Sequence, residues 1–534
     1  MPFVRQPVPT GGMVTSVPSD QLDLNQSPMV RNVRFRFGAV YPMPGRETLS
    51  SPVDALPKTI ARFSVDDQTK WLVMITDNAL WKWGDLVPGT PPAWTKVSGP
   101  VLGGVGRWDW TTGEDCFFFT RDGAGGVWKW DGINPITKVP TNAGAGASYV
   151  EQARFVEYFN NRLLVGSVVD NGERWSNRVR WPVNGNHNDW AGDGSGYLDF
   201  YEPEQEPLQG LKVLGNRCVV LREHSLTDLV ATGTLEPVFM SEQRTVNVGT
   251  LYPSTVASNG LALFFLGNDA NVWAWNGSTL TPIGNSIYRT LEQVVDVAKY
   301  QEYVGVIFPF KNEYWLWLGN NQLVIFDFLQ GRWMYDEFVN LAAMGDAQLA
   351  QAQLTWGQAT DPWNKYPTWA EMRRSYDLRM VVGMTDFSTL SVGEGITGLE
   401  DGRNFSCEIH TPDTYFDQSQ GPFAQGTILQ TLLTYEFNND VDLFEVSLSG
   451  DRGKTWVTQY HIPHPRGYGA ISWKFTSNVM RTRLRSIGAR PTFRWVHLTH
   501  EVIPAGPYSG LDQLPPEEGV TVVTAERKWV TKPT

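Results

Sequence analysis

Residues able to do chemistry are few in this chain, and most lie in turns. Ser449-Gly450-Asp451-Arg452-Gly453-Lys454-Thr455-Trp456 sets an acid, hydroxyls and an aromatic at fixed spacing. Such a turn has Asp451 accepting backbone N–H groups, Gly453 supplying an unusual φ, and Trp456 packed beneath. The polar run Asn184-Gly185-Asn186-His187-Asn188-Asp189, with Asp193 beyond it, offers oxygens to a Ca²⁺ ion. That ion needs six or more, and Asn and Asp are also the ordinary residues of loops. The chain has 56 acidic residues, and two facing carboxylates suffice for glycoside hydrolysis. No nucleophile elbow, phosphate-binding glycine loop, HExxH or Cys/His cluster occurs. Cys116, Cys218 and Cys407 stand too far apart for a disulfide framework or a metal knuckle, and Cys116 and Cys218 read as small core residues. No catalytic residue, cofactor or metal is therefore assigned, and the Asp451 turn is expected to be structural.

The elements that would position these residues are short strands in a recurring phrase. An apolar strand, a polar turn and a Trp-x-Trp pair follow one another at Trp81 and Trp83, Trp128 and Trp130, and Trp273 and Trp275. Residues i and i+2 share one face of a strand, so each pair marks the core side of a hairpin. The turns are rich in Asp, Asn and Gly, which tolerate positive φ. Trp81 and Trp128 are 47 residues apart, and Trp128 and Trp273 are 145 apart, close to three such periods. Weaker copies run from Arg162, Arg217 and Leu378, and another carries Trp315 and Trp317. A period near 47 with four-strand content predicts a β-propeller of six to seven blades.

Composition sets the bounds. The chain has 534 residues, 19% charged and 13% aromatic, with a net charge of −12. An acidic surface is a poor binder of phosphate backbones, since that affinity comes from Lys and Arg displacing counterions. No apolar run is long enough for a signal peptide or membrane span. We expect an all-β chain in four parts. Residues 1–55 read as an extended N-terminal arm or ring-closing strand, and 56–400 as the propeller. The good helix formers Leu341-Ala342-Ala343-Met344 and Ala347 to Leu354, with Trp369 to Arg374, predict a helical insertion at about 340–376. Residues 401–505 read as an antiparallel β-sandwich and 506–534 as an extended C-terminal arm. Residues 1–30 and 506–534 hold strand-like phrases, Gly12 to Val17 and Gly519 to Val523, and are expected to reach across to neighbouring subunits rather than pack on their own domain.

Several segments, in order, resemble the tail hub or nozzle protein of short-tailed bacteriophages, also called the packaged-DNA stabilisation protein. They are Asn32 to Arg46, Phe159 to Val165 with Arg174-Trp175-Ser176, Gly215 to Leu226, Ser258 to Phe265 with Ile283 to Ile287, and Ser447 to Gly453 with Arg483 to Arg490. The resemblance implies a non-enzymatic virion protein, a homo-oligomer and specifically a hexamer, below the portal and adaptor rings. It would close and guide the DNA exit channel and hold a tail fibre, spike or needle protein. DNA would pass without sequence-specific binding, and the protein would be made in the host cytoplasm. The segment Ser449, Asp451, Gly453, Thr455, Trp456 looks like the Asp-box of sialidases, where it is structural. It supports an alternative of another class, a glycan-binding or glycoside-hydrolysing propeller whose Trp faces stack on sugars.

Overall fold

The computed structural model describes residues 3–36, 38–50, 52–65, 70–83, 93–140, 150–201, 204–350, 376–393, 406–416, 425–436, 443–461, 468–487 and 494–505. Seven antiparallel sheets of four strands each form the blades of a propeller. The inner strands are Pro57–Ser64, Val105–Gly113, Val150–Phe159, Leu208–Leu214, Ala257–Ser258, Val304–Phe308 and Leu341–Ala350. Each touches the next, and the last touches the first, so the ring is closed.

Local chemistry explains the hairpins. Asn160 and Asn161, at φ 49° and 57°, and Asn320 and Asn321, at 48° and 63°, make tight two-residue turns of the left-handed kind that matches strand twist. Glu114 and Asp115 adopt the same backbone in blade 2 without Asn or Gly. Between the blades the aromatic residues interlock. Phe63 of blade 1 lies 5.8 Å from Phe117 and 5.7 Å from Trp130, both of blade 2. Each such ring, fully buried, contributes roughly 1.5–3 kcal/mol.

The Trp pairs occupy two different places. Trp81 and Trp83, Trp128 and Trp130, and Trp273 and Trp275 lie on the third strand of blades 1, 2 and 5, the second Trp of each pair being the more deeply buried. Trp315 and Trp317, both buried, lie on the second strand of blade 6.

The seventh blade is composite. Its outer strand is Gly45–Ser50 from the start of the chain, paired with Thr389–Gly393 in the register Leu390 to Thr48 and Val392 to Arg46. The expected helix over its first strand is corrected: Leu341–Ala350 is a strand, paired along its whole length with Tyr376–Met384. Close packing overrides helix propensity here. A Cβ on Gly345 would meet the Ile60 carbonyl oxygen at 2.5 Å, and Ala343 and Ala347 are fully buried. The small residues that read as helix formers admit the neighbouring inner strand. The remainder of the expected insertion, 351–375 with Trp369 to Arg374, lies outside the described residues. The described α-helix is Tyr288–Val294, between blades 5 and 6, which the sequence reading did not anticipate.

The second part is a sandwich of two six-stranded sheets, and the N-terminal segment builds into both. Val33–Arg36 and Ala39–Pro42 extend one sheet, and Phe3–Pro7 pairs with Arg494–Ala505. Val30–Arg31 extends the other sheet beside Cys407–His410. The expectation that residues 1–30 reach to a neighbouring subunit is corrected in consequence. Val8 and Met13 are buried in this chain's own core, and Met13 N–H donates to the Trp333 carbonyl at 2.9 Å. The second arm, 506–534, lies outside the described residues.

Sandwich and propeller share one apolar core, which runs from blades 5, 6 and 7 into the sandwich through Phe35, Val40 and Ile409. The joint is also ionic. Arg34 donates to both carboxylate oxygens of Asp336 in blade 6, at 2.8 and 2.6 Å, with Glu313 at 3.7 Å. Arg34 is 3% exposed and Asp336 2%.

Candidate binding site in the propeller channel

Closing seven inner strands into a ring leaves an axial cavity of about 560 Å³. Interstrand bonds set the levels along it. Val156 N–H donates to Asp109 Oδ2 at 2.9 Å and Tyr158 N–H to Thr111 Oγ1 at 3.1 Å. Nearer the start of the same two strands, Arg107 and Arg154 also line the cavity. Thr59 donates to the Trp108 carbonyl at 2.9 Å, which brings Lys58 beside Arg107. The mouth where the inner strands begin thus carries three cations, Lys58, Arg107 and Arg154.

Arg107 reaches across the mouth. Its guanidinium donates to the carbonyls of Gln301 (2.9 Å), Glu302 (2.9 Å), Lys58 (2.9 Å) and Ala342 (2.7 Å), tying blade 2 to blades 1, 7 and the approach to blade 6. Those acceptors are neutral. Burial without a contacting carboxylate pulls the guanidinium pKa down to about 10, with Glu302 opposing the fall. Lys58 is also held below the usual lysine range by burial, against the pull of Asp77, 3.8 Å away.

Deeper in, blades 2, 3 and 4 meet on Lys212, which lies 3.2 Å from Asp109 and 3.4 Å from Glu157. Burial works against the ammonium, yet the two carboxylates together hold its pKa above the ordinary range. Burial also raises Glu157, against the pull of Lys212. All four carboxylate oxygens are engaged: Asp109 by Lys212 and Val156 N–H, Glu157 by Lys212, Thr111 Oγ1 and Tyr158 N–H. The two acids stand on adjacent inner strands and share one ammonium, bound into a network that locks three blades. Nearer the far end, Arg62 pairs with Asp346 at 3.3 Å.

The Asp-box lies far from this cavity in sequence and fold, as the hairpin between Leu443–Ser449 and Val457–His461 of the sandwich. Asp451 accepts from Lys454 N–H (3.0 Å), Thr455 N–H (2.8 Å), Thr455 Oγ1 (2.6 Å) and Ser449 Oγ (2.8 Å). Those bonds, that of Thr455 Oγ1 foremost, hold its carboxyl well below the usual carboxylate range. Gly453 has φ 86°. Trp456 is packed against His410, with ring centroids 5.1 Å apart, and under Arg483 at 4.8 Å. Ser449, Asp451, Gly453 and Thr455 are used by the turn itself, and Trp456 packs on the sandwich.

In the 184–196 loop, Asp189 Oδ1 accepts from Ala191 N–H and Gly192 N–H at 3.1 and 2.9 Å, an ordinary Asx turn. No cluster of three or more metal-ligating side chains occurs among the described residues. Cys218 and Cys407 are buried, Cys116 is half-buried, and burial raises all three thiols. Sequence reasoning missed Arg107, Arg154, Asp109, Glu157 and Lys212. The available signal was charge at the first strand of three consecutive blades, where the remaining positions are mostly apolar.

No protein-family model matches the chain, and no curated protein sequence does. Solved structures similar to the chain include the following two. The WD40 domain of Neurospora crassa Pan2 shares 11% identity over 66% of this chain and 95% of that one, with a TM-score of 0.37. PorZ, a surface component of the type-IX secretion system of Porphyromonas gingivalis, shares 10% identity over 78% of this chain and 46% of its own, with a TM-score of 0.35. The assignment as a β-propeller followed by a sandwich rests on the strand pairing described above.

Proposed function

We propose that the chain is an architectural subunit of a short-tailed bacteriophage tail, a nozzle or hub that assembles as a hexamer below the portal and adaptor rings. The observation that carries the reading is the construction of the molecule as one block. The N-terminal segment completes both the seventh blade and the two sandwich sheets, and a buried ion pair fastens the parts together. The resemblance of Asn32 to Arg46 and Ser447 to Gly453 to the nozzle family points the same way. The propeller's own axis is no route for DNA, because its cavity is about 560 Å³ and Arg107 spans its mouth. The exit channel in this reading runs between subunits, with the fibre, spike or needle held outside it. Six copies at −12 each carry −72, a wall along which a polyanion slips without sticking. The Asp-box, spent on its own turn, adds nothing to the glycan alternative.

Native mass spectrometry and negative-stain imaging of the full chain, alone and with the portal-side proteins, test the reading. Closed rings that dock on those proteins are expected. Monomers under every condition, or turnover of fluorogenic glycosides, would overturn it.

A further inference from the structure

We propose that the mouth of the propeller channel is a binding site for a small multivalent oxyanion, held by Arg154 and Tyr300 beneath the charge of Arg107. The inference does not depend on the assembly in which the chain works.

Arg154 is the first ground. It lines the cavity half-buried, together with Arg107, and makes no hydrogen bond or ion pair among the described residues. Its one described contact is with the neighbouring Phe155 ring, 4.9 Å from Cζ. Of the two acids whose charge reaches it, Asp122 is paired in a two-bond fork with Arg174, at 3.1 Å for each bond, and Glu223 accepts from Gln209 Nε2 at 3.1 Å. An arginine that offers its whole fork to a cavity is suited to a planar or tetrahedral oxyanion, which it grips with two parallel bonds.

Tyr300 is the second. Its hydroxyl accepts from Gln301 Nε2 at 2.9 Å, which leaves its own O–H to donate, and it too lines the cavity. The third is Arg107. Four of its five N–H groups are bound to neutral carbonyls, so its charge meets no contacting carboxylate and is available to an anion in the cavity. Burial depresses the Lys58, Arg107 and Arg154 pKa values, and no carboxylate contacts Arg107 or Arg154 among the described residues. An anion would restore those groups toward their ordinary values, and that recovered free energy is a source of affinity. The cavity volume suits a small molecule and is far too small for a duplex.

The probe is inorganic pyrophosphate, with citrate and orthophosphate as parallel arms, titrated calorimetrically into the full-length protein at low ionic strength. Saturable one-to-one binding is expected, tightest for the more highly charged anions. R154Q is expected to weaken it roughly tenfold or more, because a charge-assisted fork is lost. Y300F, which deletes only a hydroxyl and spares the fold, is expected to weaken it about three- to tenfold. K96Q, which removes an equal charge from the exposed rim of blade 1, is expected to leave it unchanged. Absence of saturable binding by the wild-type chain at millimolar anion overturns the proposal. So does equal weakening by K96Q and R154Q, the mark of diffuse attraction, or an unchanged affinity in Y300F.

Discussion

Replacing Asp336 with Ala tests whether the sandwich and propeller are held together as the structure implies. Asp336 is 2% exposed and takes both Nη donors of Arg34, itself 3% exposed. Removing one partner of a buried pair strands the other charge in a low-dielectric site, at about 3–5 kcal/mol. Glu313, 3.7 Å from Arg34 Nε, still compensates part of that charge, and Arg34 keeps its bond to the Val33 carbonyl at 3.0 Å. The lower end, about 3 kcal/mol, is therefore expected. R34M in the same background removes the stranded guanidinium but also takes the cation from Glu313, so it should recover only part of the loss, about 1–2 kcal/mol. The measurement is a double-mutant cycle in guanidinium unfolding of the full chain, followed by tryptophan fluorescence. Trp315, whose ring centroid is 5.7 Å from Arg34 Cζ, reports on the joint. A D336A loss below about 1 kcal/mol, or a coupling within the roughly 0.5 kcal/mol error of additivity, would refute the ionic clamp and leave the joint to apolar contact alone.

Three further outcomes are expected. G305A should destabilise by about 1–3 kcal/mol in chemical denaturation, because its Cβ would lie 2.2 Å from the Thr255 carbonyl oxygen and 2.6 Å from the Tyr314 hydroxyl; a neutral result would mean the blade 5–6 contact is looser than described. His500, fully buried between Thr431 and Thr482, has its pKa pulled down to about 3 by burial. The unfolded residue titrates near 6.5, so its contribution is complete above that pH and is lost as pH falls from about 6.5 toward 3, at up to about 1.4 kcal/mol per unit; stability-versus-pH curves of H500Q should be flatter over that window, and superimposable slopes would count against the assignment. Deletion of residues 1–50 removes the outer strand of blade 7 and the edge strands of both sandwich sheets, so circular dichroism and gel filtration should show no folded monomer, whereas a cooperative transition at the wild-type temperature would mean the segment is peripheral.

The blade hairpins were legible because they are local. Alternation, Asn-rich turns and the Trp-x-Trp phrase act within some thirty residues, and the Trp81, Trp128 and Trp273 hairpins follow from them. The Asp451 turn was legible for the same reason, since Ser449, Asp451 and Thr455 satisfy one another within seven residues. What only the tertiary structure decided was everything joined across the length of the chain. Gly45–Ser50 belongs to blade 7 because its partner strand lies some 340 residues away, and no local period registers such pairing. Leu341–Ala350 carries helix-forming residues, but the approach of Ile60 to Gly345 selects them for size and makes the segment a strand. The channel mouth follows the same logic. Arg107 and Asp109, Arg154 and Glu157, and Lys212 sit on three separate strands, and ring closure alone gathers them around a common axis, where low dielectric and shared neighbours give them their chemistry.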